Sequence, residues 1–397
     1  MSTLLSIGIE NFRSYYRKEV LKFPSIEETK VTALYGPNAG GKSNTIKAFF
    51  PAIQCIVHSS EASFTLPYEP FLLREESDKE PTTFAFTYDE AEDIFTYTFS
   101  YNQERICHEE LRMRPGGTGK EKTIFKRNVE GVLNAGASQY GFTKKLADVT
   151  RRDTLLITKA RENNNAYSNV IFEMFTSLVF VNAAHSGLDP QYAEVLKRDE
   201  LIRLKTIEIL KKCDFTIRDL AINEVTIPDE LIAALPEEVK NAFSKGNQVT
   251  TTYVIRDEFL TAVGNRQFDL AAQESAGTNE LVGVIVPILV ALLNGKTIFI
   301  DEFGAFMHSK LLNAIVDLFE SGDNETGARL VLTTHNTSLL GRPSINRESI
   351  FFVEKNLGEE SAITPFSTLS VRKDEAFERR YRDGLYGAVP IIRMSEV

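Results

Sequence analysis

Cysteine is scarce in this sequence, and its scarcity excludes two kinds of protein. The chain of 397 residues has three cysteines, Cys55, Cys107 and Cys213, which lie far apart. A disulfide framework and a structural zinc site both need cysteines in pairs or clusters. The sequence therefore predicts a protein of a reducing compartment, the cytoplasm, with neither feature.

Long apolar runs are also lacking. The longest, residues 281–293, contains Gly283 and Pro287 and is shorter than the roughly 20 residues of a membrane-spanning helix. The N-terminal segment MSTLLSIGIENFRSYY has no basic stretch followed by an apolar one, which is the pattern of a signal peptide. We therefore expect no membrane partner.

Basic residues are outnumbered by acidic ones. The chain has 45 Lys and Arg against 55 Asp and Glu, for a net charge of -10. Such a chain is not expected to bind nucleic acid generally, although a local basic face could do so, and a nucleic-acid partner stays open. The length indicates a large core and two lobes.

A glycine-rich segment carries the main functional signal. Residues 36–43 read GPNAGGKS, which fits the G-x-x-x-x-G-K-[S/T] spacing, and they follow the apolar run Val31–Tyr35. Backbone N–H groups would converge there on phosphate oxygens, Lys42 would reach the β- and γ-phosphates, and Ser43 would ligate Mg²⁺. The expected cofactors are ATP and Mg²⁺. The candidate nucleotide-binding residues of this segment are Gly36, Asn38, Gly41, Lys42, Ser43 and Asn44.

A turn before this segment supplies a further candidate. Two predicted short strands, residues 4–10 and 18–23, flank the sequence Asn11-Phe12-Arg13-Ser14. Because the turn precedes the phosphate loop closely, Arg13 is a candidate nucleotide contact. A solvated turn residue is the equal alternative.

Polar residues follow two later apolar strands. Residues 297–300 run into Asp301 and Glu302, a Walker B pattern in which Asp301 would hold the Mg²⁺ shell and Glu302 would polarise the attacking water. Adjacent side chains on a strand face opposite ways, so both serve one site only if the strand ends here. His335 follows residues 329–334 and is a candidate γ-phosphate contact. The predicted catalytic residues are Lys42, Glu302 and His335.

The Ser275-Ala276-Gly277 triplet opens a very apolar helix shortly before residue 301. By itself it fits an N-cap, because serine is a preferred capping residue. A helix N-terminus is also suited to receive an anion, which is the functional interpretation of Ser275 and Gly277.

The pattern of apolar and polar residues divides the chain into four predicted segments. An ATPase lobe covers 1–60, an antiparallel β-subdomain 61–137, a helical insertion 138–248, and a second ATPase lobe 249–397. Period-two alternation marks strands at 82–87 and 94–101, and the best single helix of the insertion, 191–213, is basic. The fold class is α/β, a P-loop ATPase head with a mixed or parallel core sheet.

Together these motifs resemble ABC-type ATPases of the SMC, RecF and OLD-like branch. Within it, the chain is similar to ATPases of bacterial anti-phage defence, including AbiL-type abortive-infection proteins. The resemblance covers residues up to about 60 and from about 250. It implies that Ser275 and Gly277 contact the γ-phosphate bound by a second copy, in an ATP-dependent head-to-tail homodimer.

The sequence departs from this family at two places. No glutamine occurs between Ser59 and Tyr88, where the family's Q-loop is expected, so Glu61 or Glu69 is left as a substitute. The loop after Glu302 reads Gly304-Ala305-Phe306-Met307-His308, where Ser-Leu-His is more typical of the family, and His308 is either a dimer contact or a helix cap.

Two functions remain open. The first is an ATP-driven switch in anti-phage defence that controls a separate effector. About sixty residues follow His335, too few for the nuclease domain of OLD-like proteins, so a RloB-like nuclease encoded alongside is the expected partner. The alternative is a RecF-like DNA-repair ATPase that clamps DNA, for which the basic residues 197–212 could serve.

Overall fold

The structure, a computed structural model, describes residues 2–183, 187–213, 215–226, 245–304, 308–340, 342, 345–369 and 377–382. The chain forms two compact units. The first combines residues 1–178 with 331–397, so it is built from both ends of the sequence, and the second covers 179–330. Both units contain helices and strands, and the predicted α/β class is confirmed.

An antiparallel six-stranded sheet lies in the first unit. Its strands are β1 (Thr3–Glu10), β2 (Glu19–Lys22), β4 (Thr82–Glu90), β5 (Asp93–Tyr101), β6 (Ile106–Arg114) and β7 (Lys122–Arg127). Their order is β2-β1-β4-β5-β6-β7. Burial alternates along β4, which places Phe84, Phe86 and Tyr88 on the buried face, with the ring of Phe84 5.9 Å from that of Phe99. The predicted period-two strands are confirmed, because one face of this sheet packs in the core.

Further strands of the first unit belong to a mixed sheet. They are β3 (Val31–Tyr35), β13 (Arg329–Thr333), β14 (Ile350–Lys355) and β15 (Ser361–Pro365), in the order β15-β14-β3-β13. The first two residues of β13 belong to the second unit. β14 is parallel to β3 and antiparallel to β15. Every residue of β3 is buried, as expected for a central strand of a parallel arrangement.

The helices of the first unit are α1 (Lys42–Lys47), α2 (Phe49–His58), α3 (Lys144–Asp148), α4 (Leu156–Arg161), α5 (Ala166–Thr176) and α10 (Phe377–Arg382). The sequence predicts one helix from the phosphate loop to His58, but a break at Ala48 separates α1 from α2. Pro51 explains the break. It has no N–H for the carbonyl of Lys47, and its ring would clash with that carbonyl in a continuous helix.

A buried carboxylate joins β6 to α4. Glu109 is fully buried and accepts hydrogen bonds from the N–H groups of Leu156 (2.7 Å) and Ile157 (3.0 Å) and from the Tyr97 hydroxyl (3.1 Å). The Arg127 guanidinium lies 3.7 Å away. Burial raises the pKa of Glu109 above its ordinary value, although these partners act against the rise.

The core of the second unit consists of β8 (Val179–Asn182), β12 (Thr297–Asp301), α8 (Ala276–Asn294) and α9 (Ser309–Glu320). β8 and β12 are parallel, with Asn182 opposite Asp301. α8 ends where Gly295 takes a left-handed φ of 63°. Among the described residues, α8 is the one helix long and apolar enough to cross a membrane, and 67% of its apolar 18-residue stretch is buried inside the protein. Its apolar character is accounted for by packing in the unit.

The remaining elements of the second unit are α6 (Pro190–Arg198), α7 (Glu200–Lys212) and an antiparallel sheet of β9 (Asp219–Thr226), β10 (Lys245–Arg256) and β11 (Ala262–Asp269), with β10 in the middle. The single helix predicted over 191–213 is wrong. Asp199 separates α6 from α7, because its extended backbone ends the first helix and its carboxylate accepts from the Ile202 N–H at 3.1 Å, capping the second.

Candidate functional site

The phosphate loop connects β3 to α1. Tyr35 ends the strand, and Lys42 is the first helical residue. Gly41 is the N-cap of α1 with φ 113°, a backbone conformation that favours glycine. Ala39 also has a left-handed φ of 61°. The strand–loop–helix context that the sequence motif requires is therefore present.

The C-terminal hairpin of β14 and β15 forms the back wall of this loop. A Cβ atom added to Gly36 would lie 2.0 Å from the carbonyl oxygen of Val353, and one added to Gly40 would lie 2.7 Å from it. These glycines are therefore required by close packing of two backbones. Asn38, by contrast, is exposed at the tip of the loop.

The ammonium of Lys42 lies inside the loop. Its Nζ donates to the carbonyl oxygens of Gly36 and Pro37, each at 2.9 Å, and the residue is only 7% exposed. A buried cation is tolerated when such acceptors surround it. The neighbouring Ser43 is half-buried. The loop thus encloses one positive charge next to the start of α1.

The turn that contains Arg13 is hydrogen-bonded to the helix after the loop. The Oγ of Ser14 accepts from Asn44 Nδ2 at 2.9 Å, and the hydroxyls of Tyr15 and Thr45 lie 2.6 Å apart. Burial raises the pKa of the Tyr15 phenol, which keeps it neutral. The structure therefore brings the Arg13 turn to the phosphate loop, as the sequence interpretation requires.

The guanidinium of Arg13 is paired with the carboxylate of Glu69 and lies over the Phe12 ring, 5.4 Å from its centroid. The Arg13 N–H also donates to the Glu69 carbonyl at 2.9 Å. Arg13 has a left-handed φ of 48°, which is uncommon for a residue with a side chain. Glu69 is one of the two residues left as a Q-loop substitute.

His335 lies at the same edge of the mixed sheet as the phosphate loop. The N–H of Thr334 donates to the Leu34 carbonyl at 3.2 Å, and the Tyr35 hydroxyl donates to the Asn336 carbonyl at 2.9 Å. These bonds align the ends of β13 and β3. His335 itself is exposed there.

The second unit carries Asp301 and Glu302. Asp301 is the last residue of β12 and is buried, whereas Glu302 is exposed and has a left-handed φ of 56°. The strand therefore ends at Asp301, and the turn at Glu302 breaks the alternation that would separate the two carboxylates. Strained backbone at a residue with a side chain is a feature of functional sites.

Ser275 caps α8. Its Oγ accepts from the Thr278 N–H at 3.1 Å. Ser275, Ala276 and Gly277 are all exposed, and a Cβ added to Gly277 would meet nothing closer than 3.9 Å. The capping interpretation is therefore correct for the Ser275 side chain, and the helix N-terminus is accessible. His308 likewise caps α9, its Nδ1 accepting from the Lys310 N–H at 3.2 Å, while residues 305–307 of its loop lie outside the described residues.

Ser43 and Asp301 each carry an oxygen of the type that binds magnesium. Among the described residues, no group of three or more His, Cys, Asp or Glu could hold a metal ion. Mg²⁺ in nucleotide sites needs only one or two hard oxygen ligands from the protein, with phosphates and water supplying the rest. The Ser43 hydroxyl of the first unit is an oxygen of that type, and so, within the second unit, is the Asp301 carboxylate.

Sequence reasoning missed Ser361 and Ser14. Both contact the phosphate loop or the helix that follows it. Ser14 could have been found from its place in the Arg13 turn, whereas no local pattern distinguishes Ser361.

The fold and the phosphate loop define a P-loop ATPase. The chain belongs to the family described as "AAA domain, putative AbiEii toxin, Type IV TA system", whose model matches residues 31–341. No curated protein matches the chain.

Solved structures with a similar fold include two SMC heads. The SMC head domain from Thermotoga maritima is 14% identical, with 93% of this chain and 99% of that chain covered and a TM-score of 0.46. The Smc head domain with an extended coiled coil, bound to the C-terminal domain of ScpA, from Pyrococcus furiosus is 12% identical, with 92% and 96% covered and a TM-score of 0.41.

Proposed function

We propose that this protein is a cytoplasmic ATP-binding and ATP-hydrolysing switch of a bacterial anti-phage defence system of the abortive-infection type, AbiL-like in organisation. ATP joins two copies head to tail, and the dimer controls a separate effector. The observation that carries the nucleotide part is the Lys42 ammonium, enclosed by the carbonyls of Gly36 and Pro37 beside the start of α1. The defence role is supported by the name of the family.

The first unit supplies the phosphate-binding groups. Lys42 leaves the loop carbonyls to contact the β- and γ-phosphates, a charged contact that outweighs two neutral acceptors. The N–H groups of the loop and of α1 bind phosphate oxygens, with Asn38, Asn44 and Arg13 at the rim. Ser43 holds Mg²⁺, and His335 contacts the γ-phosphate.

The second unit supplies the hydrolytic groups. Asp301 would hold Mg²⁺, and Glu302 would orient and polarise the attacking water. When bound, Mg²⁺ neutralises charge that develops on the transferred phosphoryl group. We assign the left-handed backbone at Glu302 a role in this chemistry, because it re-aims the carboxylate beyond the end of the strand.

Substitution of Glu302 tests the chemistry. Glu302→Gln should bind ATP and lower turnover by at least about 100-fold, because a positioned charge is lost while the shape is kept. ATP should then hold this variant as a dimer in light scattering. Glu359→Gln is the matched control, since Glu359 is an exposed glutamate that also has a left-handed φ (60°) and lies in the β14–β15 turn. Unchanged turnover in Glu302→Gln, with no ATP-dependent dimer, would falsify the proposed mechanism.

A mixing experiment tests the head-to-tail site. Ser275→Arg should block the accessible N-terminus of α8, and Lys42→Ala should disable the phosphate loop. Each variant alone should be inactive, but a mixed dimer of the two regains one intact site of its two. Half of randomly paired dimers are mixed, so the mixture should recover about a quarter of wild-type turnover. No recovery on mixing would place Ser275 and Lys42 in a site formed by one copy.

The effector is tested genetically. The gene neighbouring this one should encode a toxic nuclease of the RloB-like kind, and only the pair should reduce phage plating. Glu302→Gln should change protection without changing the amount of either protein. Protection by the ATPase gene alone would contradict a separate effector.

The DNA-clamping alternative has less support. Four basic side chains of α6 and α7 are ion-paired with carboxylates: Lys197 with Glu224, Arg198 with Glu194, Arg203 with Asp219, and Lys212 with Glu208. Phosphate binding by these side chains requires that the carboxylates first be displaced. Tight, ATP-dependent DNA binding that falls steeply with salt would favour the clamp over the defence switch.

A further inference from the structure

Ser361, at the start of β15, contacts the phosphate loop from behind. It is buried, and its hydroxyl donates to the carbonyl oxygen of Gly40 at 2.7 Å. Its backbone N–H donates to the carbonyl of Ser14, also at 2.7 Å. One residue near the C-terminal end of the sequence therefore holds both the loop and the Arg13 turn.

We propose that Ser361 is a positioning residue for phosphate binding, an inference that rests on the proposed function. The carbonyl of Gly40 and the N–H of Gly41 belong to one planar trans peptide, so they point in opposite directions. A hydrogen bond that fixes the carbonyl toward Ser361 therefore aims the Gly41 N–H away from β15. That N–H is one of the donors on which the phosphate oxygens depend.

Close packing supports the same role. A Cβ atom added to Gly41 would lie 2.2 Å from Ser361 Oγ and 2.8 Å from its Cβ. The same added atom would lie 3.0 Å from Ser14 Oγ. The peptide between Gly40 and Gly41 is thus hydrogen-bonded through its carbonyl, and Ser361 and Ser14 pack closely beside the Cα of Gly41. The peptide therefore has little freedom to rotate.

The bonds form a closed path around the loop. Ser361 bonds to Gly40 and to the carbonyl of Ser14, and the Oγ of Ser14 accepts from Asn44 on α1. The orientation of the Gly41 N–H is thus set before a ligand arrives. Donors that need no reorganisation bind an anion more tightly than donors that must first turn.

The test compares the ATP dissociation constants of purified full-length variants. Ser361→Ala removes the hydroxyl and leaves the backbone bond to Ser14. It should weaken ATP binding by about fivefold, the effect of one hydrogen bond, and leave adenosine binding unchanged because adenosine has no phosphate. Thr364→Ala is the matched control, since it removes from the same strand a hydroxyl that makes none of these bonds. Lys42→Ala is the reference for loss of the site itself.

The outcomes separate this inference from the proposed function. If Lys42→Ala abolishes ATP binding but Ser361→Ala binds ATP like Thr364→Ala, Ser361 has no positioning role. An equal loss of ATP and adenosine affinity in Ser361→Ala would also overturn it, because a general structural role affects both. If Lys42→Ala binds ATP normally, the proposed function itself fails. Should Ser361→Ala not fold, Ser361→Cys keeps the size with a weaker donor, and ATP binding equal to wild type would reject the inference.

Discussion

Arg13 and Glu69 form an ion pair at the edge of the phosphate loop, and the backbone N–H of the same arginine is bonded to the carbonyl of the same glutamate. Both side chains are partly exposed, so the pair itself adds little stability. The position of the pair suggests that Glu69 competes with a bound phosphate for the Arg13 guanidinium. A carboxylate that holds Arg13 opposes the use of that guanidinium by a phosphate.

Glu69→Gln should therefore tighten ATP binding by about threefold, because the glutamine binds a guanidinium more weakly than the carboxylate does. Arg13→Gln should weaken ATP binding by a similar factor. Titration of ATP into each variant measures both constants. The double variant should behave like Arg13→Gln. If Glu69→Gln also tightens ATP binding when it is added to Arg13→Gln, the ion pair does not compete with phosphate.

Two glycine substitutions should separate folding from function. Gly36→Ala places a Cβ 2.0 Å from the Val353 carbonyl, and relief of this clash between backbones should cost about 3 kcal/mol or more. Gly277→Ala meets no atom closer than 3.9 Å and should melt like wild type. Thermal unfolding checks both. Equal melting temperatures for the two variants would contradict the close contact at Gly36.

The left-handed backbone of Glu302 predicts a trade between stability and activity. A non-glycine residue in this conformation costs about 1 kcal/mol, and glycine avoids that cost. Glu302→Gly should raise the melting temperature by about 1–3 °C while abolishing hydrolysis. Glu359→Gly, at φ 60° in an exposed turn, should give the same rise with hydrolysis intact. A fall in melting temperature for Glu302→Gly alone would mean that the Glu302 side chain contributes to stability.

The buried Glu109 predicts a pH dependence of stability. Its pKa is raised in the folded protein, so above pH 4.5 the unfolded chain releases a proton that the folded state retains. Stability from this group is therefore complete below the unfolded pKa and is lost as pH rises through the folded pKa. Urea unfolding from pH 4.5 to 7 should show the wild type losing stability relative to Glu109→Gln. Glu110→Gln, on the same strand, controls for the loss of one carboxylate, and parallel curves for Glu109→Gln and the wild type would rule out the shift.

Much of the architecture could be predicted from local pattern. The spacing around Lys42 and the apolar run before it locate the phosphate loop, and period-two alternation locates β4 and β5. Ser275 could be predicted as the N-cap of α8, because serine is a preferred capping residue. These features depend on neighbours within a few residues, which is the range that propensity and periodicity describe.

The errors have local physical causes. The predicted helix over 191–213 is interrupted because Asp199 takes the N-cap role, a signal present in the sequence but obscured by the continuing apolar period. The segment 138–248, predicted as a helical insertion, also contains β8, β9 and the start of β10.

Contacts between distant residues could not be predicted. Ser361 and Gly40 are 321 residues apart, and Val353 meets Gly36 across a similar separation. No local pattern records such partners. The roles of Asp301, Glu302 and His335 in one site remain predictions for the experiments above.

The dependence of the phosphate loop on β14 and β15 also bears on the order of events during synthesis. Gly40 of the loop leaves the ribosome 321 residues before Ser361, whose hydroxyl is bonded to the Gly40 carbonyl. A nascent chain that ends before Ser361 lacks the residues that pack against the loop, so ATP binding should begin only after β15 has been synthesised. C-terminal truncation within β14 or β15 should therefore disable a nucleotide site whose sequence motif is intact.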